Sequence, residues 1–124
     1  MSKCILIADD NAVIRRTLRH ILEETNGWQV CGEAVNGRDA VEKAEQLHPD
    51  LVVLDLSMPE MDGFQAARVL RRSMPNVPLI LFTVFGNNKH IEEEAEAAGI
   101  TAVVSKMDGV TGLVSKIQSA LAPV

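Results

Sequence analysis

Polar residues that could carry chemistry directly follow apolar runs at four places in the chain. Asp9 and Asp10 follow "CILIA", Asp55 follows "LVVL", Thr83 follows "LILF", and Lys106 follows "AVVS". A buried charge is costly unless it is paired, hydrogen-bonded or bound to a metal. Three carboxylates, a hydroxyl and an ammonium at the ends of apolar runs therefore predict a common site.

The residue types indicate which chemistry that site would support. Clustered carboxylates repel one another at neutral pH and favour a hard cation with oxygen ligands. Mg²⁺ fits because it binds one or two carboxylates, keeps several waters and bridges to phosphate. A carboxylate beside Mg²⁺, here Asp55, can attack a phosphoryl group and form an aspartyl phosphate. Lys106 would supply a positive charge and Thr83 a hydroxyl donor to the phosphoryl oxygens.

Each charged residue also has a structural interpretation when it is considered alone. Asp10 precedes a helical pattern and could cap that helix, and Lys106 could lie in solvent. Arg15, Arg16 and Arg19 are expected on a solvent-exposed helix face, where they could also contact a partner. The combination of polar residues at the ends of different strands favours the site over these separate interpretations.

The elements that must position these residues alternate along the sequence. Apolar runs predict strands, and 3.6-residue periodicity predicts helices. The strands are expected at residues 3–9, 28–35, 50–55, 77–83 and 100–106, and the helices at 11–27, 37–49, 62–75, 87–99 and 109–121. The apolar stripe of the first helix, which includes Val13, Ile14 and Leu18, is expected to face the core.

The order of the elements predicts an α/β fold. Strands that are apolar throughout are typical of parallel sheets with helices on both faces. Right-handed crossovers then give a doubly wound five-stranded parallel sheet. Such sheets bind ligands outside the carboxyl ends of their strands, which is where the polar residues are expected.

Length and charge limit the other classes of function. The 124 residues contain no linker or low-complexity segment, so residues 1–124 are expected to form one domain. The net charge of −5 disfavours nucleic-acid binding by this chain. No segment approaches the roughly 20 apolar residues of a membrane span. A cytoplasmic protein is therefore expected.

The two cysteines, Cys4 and Cys31, both lie in apolar runs. Small unpaired cysteines are common in protein cores. Two cysteines alone indicate neither a disulfide framework nor a metal site. The sequence therefore predicts two unpaired thiols in a reducing compartment.

The sequence resembles the response-regulator receiver domains of bacterial two-component signalling along essentially its whole length. The segments that carry the resemblance are "IADD", "VVLDLSMPEMDG", "ILFT" and "VVSK". The resemblance implies a flavodoxin-like strand order 2-1-3-4-5. It also implies that Asp55 accepts a phosphoryl group from a sensor histidine kinase or a phosphotransfer protein. Lys106 would pair with that phosphoryl group, and Thr83 would move to hydrogen-bond it.

The same resemblance implies a ligand set for Mg²⁺. Asp10 would bind the ion directly and Asp9 mostly through water, while Asp55 and the backbone carbonyl of Ser57 would complete the protein ligands. The protein would be a regulator with slow phosphoryl transfer and hydrolysis rather than a metabolic enzyme.

The resemblance also implies how the signal would leave the domain. Receivers similar to this one often precede helix-turn-helix output domains in transcription regulators. They often form homodimers through the fourth helix, the fifth strand and the fifth helix. The output itself, whether a further domain or a separate partner, stays open.

Three positions depart from the usual pattern of the family. Val103 replaces the Tyr or Phe that commonly switches rotamer with the Thr, and Val84 replaces a small residue beside the site. Met107 follows the lysine where many receivers have a cis proline, so the Lys106–Met107 bond is expected to be trans. Phe85 is hypothesised to shield the acyl phosphate from water.

Two alternatives from other classes remain at this point. A Mg²⁺-dependent phosphatase with an Asp nucleophile would usually carry a second Asp two residues later, but this chain has Ser57 there. A phosphate-independent interaction module would keep the fold without the chemistry. The departures at Val103 and Val84 favour that module, whereas the complete carboxylate set with Lys106 opposes it.

Overall fold

The strands and helices of the chain alternate strictly in the computed structural model, which describes residues 2–122. The strands are β1 Cys4–Ala8, β2 Gln29–Ala34, β3 Leu51–Leu54, β4 Leu79–Thr83 and β5 Ala102–Ser105. The α-helices are α1 Ala12–Asn26, α2 Gly37–Leu47, α3 Gly63–Ser73, α4 Lys89–Ala97 and α5 Gly109–Leu121. A single 3-10 turn, Lys106–Asp108, joins β5 to α5. All ten expected elements are present; α5 has the expected bounds, and the other nine are shorter than expected.

The five strands form one parallel sheet in the order β2-β1-β3-β4-β5. This order confirms the doubly wound, flavodoxin-like fold. β2 lies on one side of β1 at the edge of the sheet, and β3, β4 and β5 follow in order on its other side. The point where the order reverses therefore lies between β1 and β3, and their carboxyl ends frame the crevice in which such sheets bind ligands.

Helices cover both faces of the sheet and bury two separate apolar layers. Ile5 and Ile7 of β1 lie in the layer that contains Leu18 of α1 and Leu113 of α5. The alternate residues of β1, including Leu6, lie in the opposite layer with residues of α2, α3 and α4. Side chains on both faces of every central strand are therefore buried, as a parallel sheet requires.

One residue of the predicted core stripe does not face the core. Val13 is 66% exposed, whereas Leu18 is buried and Ile14 is partly buried against the α1–α5 layer. Val13 lies in the first turn of α1, near the carboxyl edge of the sheet, and most of its side chain is exposed to solvent. The expectation that Val13 packs inward was wrong. Helical periodicity shows which side chains share a face of the helix, but not how far the neighbouring elements extend along that face.

The cysteines are joined, contrary to the prediction of unpaired thiols. Cys4 and Cys31 form a disulfide between β1 and β2, with their Cα atoms 5.4 Å apart. The register of the two strands shifts by one residue between Ile5 and Leu6, so Cys31 is the extra residue of β2 between Val30 and Gly32. The two positions are 27 residues apart, and only the pairing of β1 with β2 brings them together.

We find no helix among residues 2–122 that is both long enough and apolar enough to cross a bilayer.

The disulfide gives a direct prediction for stability. Without reductant, Cys31→Ser should lower the free energy of unfolding by about 2–4 kcal/mol, because the bond restricts the unfolded chain. Denaturant titration measures the difference, and dithiothreitol should largely abolish it. Two titratable thiols per wild-type chain, measured after unfolding without reductant, would contradict the pairing.

Candidate functional site

The predicted site residues meet at one edge of the sheet because the strands are in register there. Ala8 of β1 pairs with Leu54 of β3, so Asp9 and Asp55 follow at the same level. Thr83 of β4 pairs with Ser105 of β5, and Lys106 follows directly. Parallel pairing alone therefore brings chain positions almost 100 residues apart to one edge.

Three carboxylates form a cluster at this edge. One carboxylate oxygen from each of Asp9, Asp10 and Asp55 lies within 4.8 Å of the others. Asp9 and Asp55 are buried, whereas Asp10 is exposed. This set of hard oxygen donors fits Mg²⁺, which prefers one or two carboxylates and retains waters on its open side.

The cap of α1 is Asn11, not Asp10. The Asn11 side chain accepts hydrogen bonds from the backbone N–H groups of Val13 and Ile14, at 2.9 and 3.2 Å. The interpretation of Asp10 as a helix cap was therefore wrong. The N–H group of Asn11 donates to Asp9 Oδ1 at 2.9 Å, which holds that carboxylate in place.

Lys106 places a positive charge between the two buried carboxylates. Its Nζ lies 2.9 Å from Asp9 Oδ2 and 3.4 Å from Asp55 Oδ1. The Lys106 side chain is only 15% exposed, so the interpretation of a lysine that points into solvent was wrong. Ion pairs at low exposure are screened less by salt than surface pairs.

Burial raises the pKa of Asp55 above its usual value, and the neighbouring charge of Asp9 raises it further. Lys106 and the N–H group of Leu56, which donates to Asp55 Oδ1 at 2.8 Å, act in the opposite direction. The net shift is upward. An aspartate with a raised pKa is a stronger base and a better nucleophile toward phosphorus once it is ionised.

Thr83 and Ser57 lie near the cluster without joining it. Thr83 is buried, and its Oγ1 accepts a long hydrogen bond of 3.4 Å from the N–H group of Phe85. Ser57 lies in the loop after β3 with an exposed side chain. Among residues 2–122, we find no hydrogen bond from either residue to the three carboxylates or to Lys106.

Val84 and Met107, two of the positions that depart from the usual receiver pattern, lie at this edge, whereas Val103 lies within β5. Val84 is 55% exposed and Phe85 is 49% exposed, so both present apolar surface beside Thr83. Val103 is partly buried against the α2–α4 side of the core. The Lys106–Met107 bond is trans, as expected, because no cis peptide bond occurs in the part of the chain that the structure describes.

Arg15 is a site residue that sequence reasoning missed. Its guanidinium donates to the backbone carbonyl of Asp9 at 2.6 Å and to Glu33 Oε1 at 3.1 Å. Its side chain is only 13% exposed, so the expectation of a solvent-exposed arginine was wrong. The sequence carries no signal for this contact, because Glu33 of β2 reaches Arg15 only through the β1–β2 pairing.

Glycines let the backbone approach the site closely. A Cβ atom at Gly63, the first residue of α3, would collide with the carbonyl oxygen of Asp55. The N–H group of Gly63 also donates to the carbonyl of Leu56 at 2.9 Å. This close approach fixes the loop that follows β3, and with it the backbone of Asp55.

Comparisons with known proteins agree with this geometry. A family model described as the response regulator receiver domain matches residues 5–118. The chemotaxis protein CheY of Thermotoga maritima is 38% identical over 104 residues, which are 84% of this chain and 86% of that protein. The response regulator domain of Thermotoga maritima CheB superposes with a TM-score of 0.89 at 27% identity, over 99% of this chain and all of that one.

Relatives that are larger proteins match over only part of their length. A protein-glutamate methylesterase/protein-glutamine glutaminase of Nocardioides sp. is 36% identical over 123 residues. The match covers 96% of this chain but 34% of that protein. A LuxR-family response regulator from Aurantimonas sp. has a TM-score of 0.89 at 27% identity, over 96% of this chain and 84% of that one.

The ion pairs of Glu33 with Arg15 and Arg19 predict a pH-dependent contribution to the stability of the fold. Partial burial would raise the pKa of Glu33, but its hydrogen bonds and ion pairs with Arg19 and Arg15 outweigh burial and lower it. A glutamate whose pKa is lower in the folded protein than in the unfolded chain stabilises the fold at any pH above its unfolded-state pKa. This stabilisation is lost as the pH falls through the folded-state pKa. Glu33→Gln should therefore lower the melting temperature at pH 7. The difference should shrink as the pH falls below the ordinary glutamate pKa of 4.5 and vanish below the lower pKa of the folded state.

The control for this comparison is Glu93→Gln, an exposed position on α4. It should leave the melting temperature nearly unchanged across the same range. An equal loss for Glu33→Gln at pH 7 and at pH 3 would contradict the ionic role.

The close approach at Gly63 predicts a second stability difference. Gly63→Ala should destabilise the protein by about 1–3 kcal/mol, because the new methyl group forces the Asp55 backbone to move. Gly112→Ala is the matched control, since its Cβ atom would meet its nearest neighbour, Val104, at an ordinary 3.5 Å. Thermal unfolding of both variants measures the difference, and equal effects would contradict the argument.

Proposed function

The chain belongs to the response regulator receiver domain family, a family of domains that can be phosphorylated on aspartate, and we propose that its phosphoryl acceptor is Asp55. The observation that carries the proposal is the buried carboxylate at the end of β3, with Lys106 Nζ 3.4 Å from its Oδ1. The donor would be a phosphohistidine of a sensor histidine kinase or phosphotransfer protein. Phosphorylation would then pass the signal to an output domain or partner.

The contacts of Asp55 suggest which oxygen reacts. The N–H group of Leu56 and the Lys106 ammonium both lie at Oδ1. Oδ2 would therefore attack the phosphorus atom, forming a P–O bond as the P–N bond to the donor histidine breaks. Lys106 would pair with the oxygens of the transferred group, and Thr83 would donate its hydroxyl to them.

The carboxylate cluster supports a magnesium requirement. Asp9, Asp10, Asp55 and the backbone carbonyl of Ser57 would hold Mg²⁺. When bound, the ion neutralises negative charge on the phosphoryl oxygens. The cluster of three carboxylates with one nearby ammonium otherwise concentrates negative charge, which opposes the approach of an anionic donor.

The protein would act as a regulator rather than as a metabolic enzyme. A phosphatase of this kind usually carries a second Asp, which acts as general acid, two residues after the nucleophile, and this chain has Ser57 there. The matches to methylesterases cover only the receiver part of those proteins, so they suggest a shared regulatory domain. Hydrolysis of small phosphate esters should accordingly be negligible.

The wider context of the domain is also a proposal. Residues 1–124 would form one receiver domain, and the likeness to a LuxR-family regulator supports a role in transcription regulation. The surface of α4, β5 and α5 would form a homodimer after phosphorylation. The protein would work in the cytoplasm.

Phosphorylation by a small donor tests the central proposal. The protein incubated with Mg²⁺ and acetyl phosphate should gain one phosphoryl group, measured by intact mass. Asp55→Asn should gain none because it removes the nucleophile, and EDTA should also suppress the gain. Asp108→Asn is the matched control, because Asp108 is exposed and its side chain makes no cap hydrogen bond.

Two results would contradict the proposal. An undiminished gain in Asp55→Asn would identify another acceptor. No gain in the wild-type protein, with either acetyl phosphate or phosphoramidate as donor, would favour the phosphate-independent interaction module.

A further inference from the structure

Phe82, the penultimate residue of β4, lies directly beneath the charged end of Lys106. The centroid of its ring is 5.9 Å from Lys106 Nζ, within the range of a cation–π interaction. Phe82 is only 5% exposed, so its ring has little freedom to turn away. We propose that Phe82 is a positioning residue that holds the Lys106 ammonium within reach of Asp55, an inference that rests on the function proposed above.

The need for such a residue follows from the flexibility of lysine. The ammonium group lies at the end of a four-carbon chain, and it is a point charge without the fixed geometry of a guanidinium. Here the ammonium is closer to Asp9, at 2.9 Å, than to Asp55, at 3.4 Å. A ring beneath the ammonium gives it a third contact that does not depend on either carboxylate.

A cavity whose lining includes Lys106 but none of the three aspartates strengthens this role. The cavity, of about 240 Å³, lies between α1 and α5 and is lined by Phe82, Lys106 and mainly apolar residues that include Ile14 and Val110. Lys106 is the one charged residue in that lining. The lining contains no carboxylate, and Phe82 is its one aromatic residue, so the ring is the group in this lining that can attract the ammonium.

An apolar core position by itself does not require a ring. Ile80, two residues earlier on β4, lies in the same apolar layer as Phe82 and is aliphatic. Leucine at position 82 would also be apolar and large, but it would present no π face to the ammonium. Phe82→Leu therefore separates the packing role of this position from its effect on Lys106.

The contact itself can be measured without any phosphoryl donor. In the wild-type protein, the ring current of Phe82 should shift the ε-methylene protons of Lys106 upfield in the NMR spectrum. Phe82→Leu should move them toward the values of an exposed lysine, and Phe82→Tyr should retain the shift. Unshifted protons in the wild-type protein would overturn the proposal.

The positioning role is measured by a double-mutant cycle on the rate of phosphorylation by acetyl phosphate. Phe82→Leu should lower the rate about two- to fivefold, the range expected for an exposed or partly buried cation–π contact, and Phe82→Tyr should restore most of it. In a Lys106→Met background, Phe82→Leu should have no further effect. An equal loss in both backgrounds would overturn the proposal, because it would show that Phe82 acts through packing alone.

These experiments distinguish a failure of the proposed function from a failure of the positioning role of Phe82. If the wild-type protein accepts no phosphoryl group, the proposed function fails, while the NMR shift still reports whether the ring holds Lys106. If Phe82→Leu does not fold, pentafluorophenylalanine at position 82 keeps the shape of the ring and reverses its quadrupole. The fluorinated protein should show the same fall in rate, and an unchanged rate would overturn the proposal.

Discussion

Repulsion between two buried carboxylates is the constraint on which this site depends. Asp9 and Asp55 follow neighbouring strands at the same level, where desolvation disfavours both charges. The Lys106 ammonium lies within 3.4 Å of both carboxylates and offsets part of that cost. The raised pKa of Asp55 indicates that the compensation is incomplete. A site with residual negative charge is prepared for a cation, and a phosphoryl group can then approach.

Much of the surrounding structure fixes the atoms that carry these charges. Asn11 caps α1 and its N–H group holds Asp9, while Arg15 binds the Asp9 carbonyl and connects it to Glu33 on β2. On the other side, the backbone at Gly63 closes against the Asp55 carbonyl. Each contact joins backbone or side-chain atoms at the carboxyl edge to a rigid element. The backbones of Asp9 and Asp55, from which the two buried carboxylates extend, are therefore held close together.

The disulfide and the carboxylate cluster lie toward opposite ends of the sheet. Cys4 lies at the amino end of β1, where the disulfide joins that strand to the edge strand β2. The carboxyl end carries the polar cluster together with exposed apolar side chains such as Val84, Phe85 and Met107. Buried like charges and exposed apolar surface both reduce stability, so their presence at one edge is typical of a functional site rather than of a structural one.

The sequence by itself determined the alternation of strands and helices, the doubly wound fold and the five polar residues at strand ends. These features depend on local signals, namely apolar runs, helical periodicity and the residue that follows each run. These local signals alone place Asp9, Asp10, Asp55 and Lys106 at one site. The resemblance of four short segments to receivers added the roles of these residues.

Only the tertiary structure decided the contacts between distant segments. The Cys4–Cys31 bond depends on a one-residue register shift between β1 and β2, and the burial of Arg15 depends on where that pairing places Glu33. The position of the Phe82 ring under Lys106 depends on the pairing of β4 with β5. Periodicity within one segment contains no information about the register between two segments, so these contacts were set by the packed sheet.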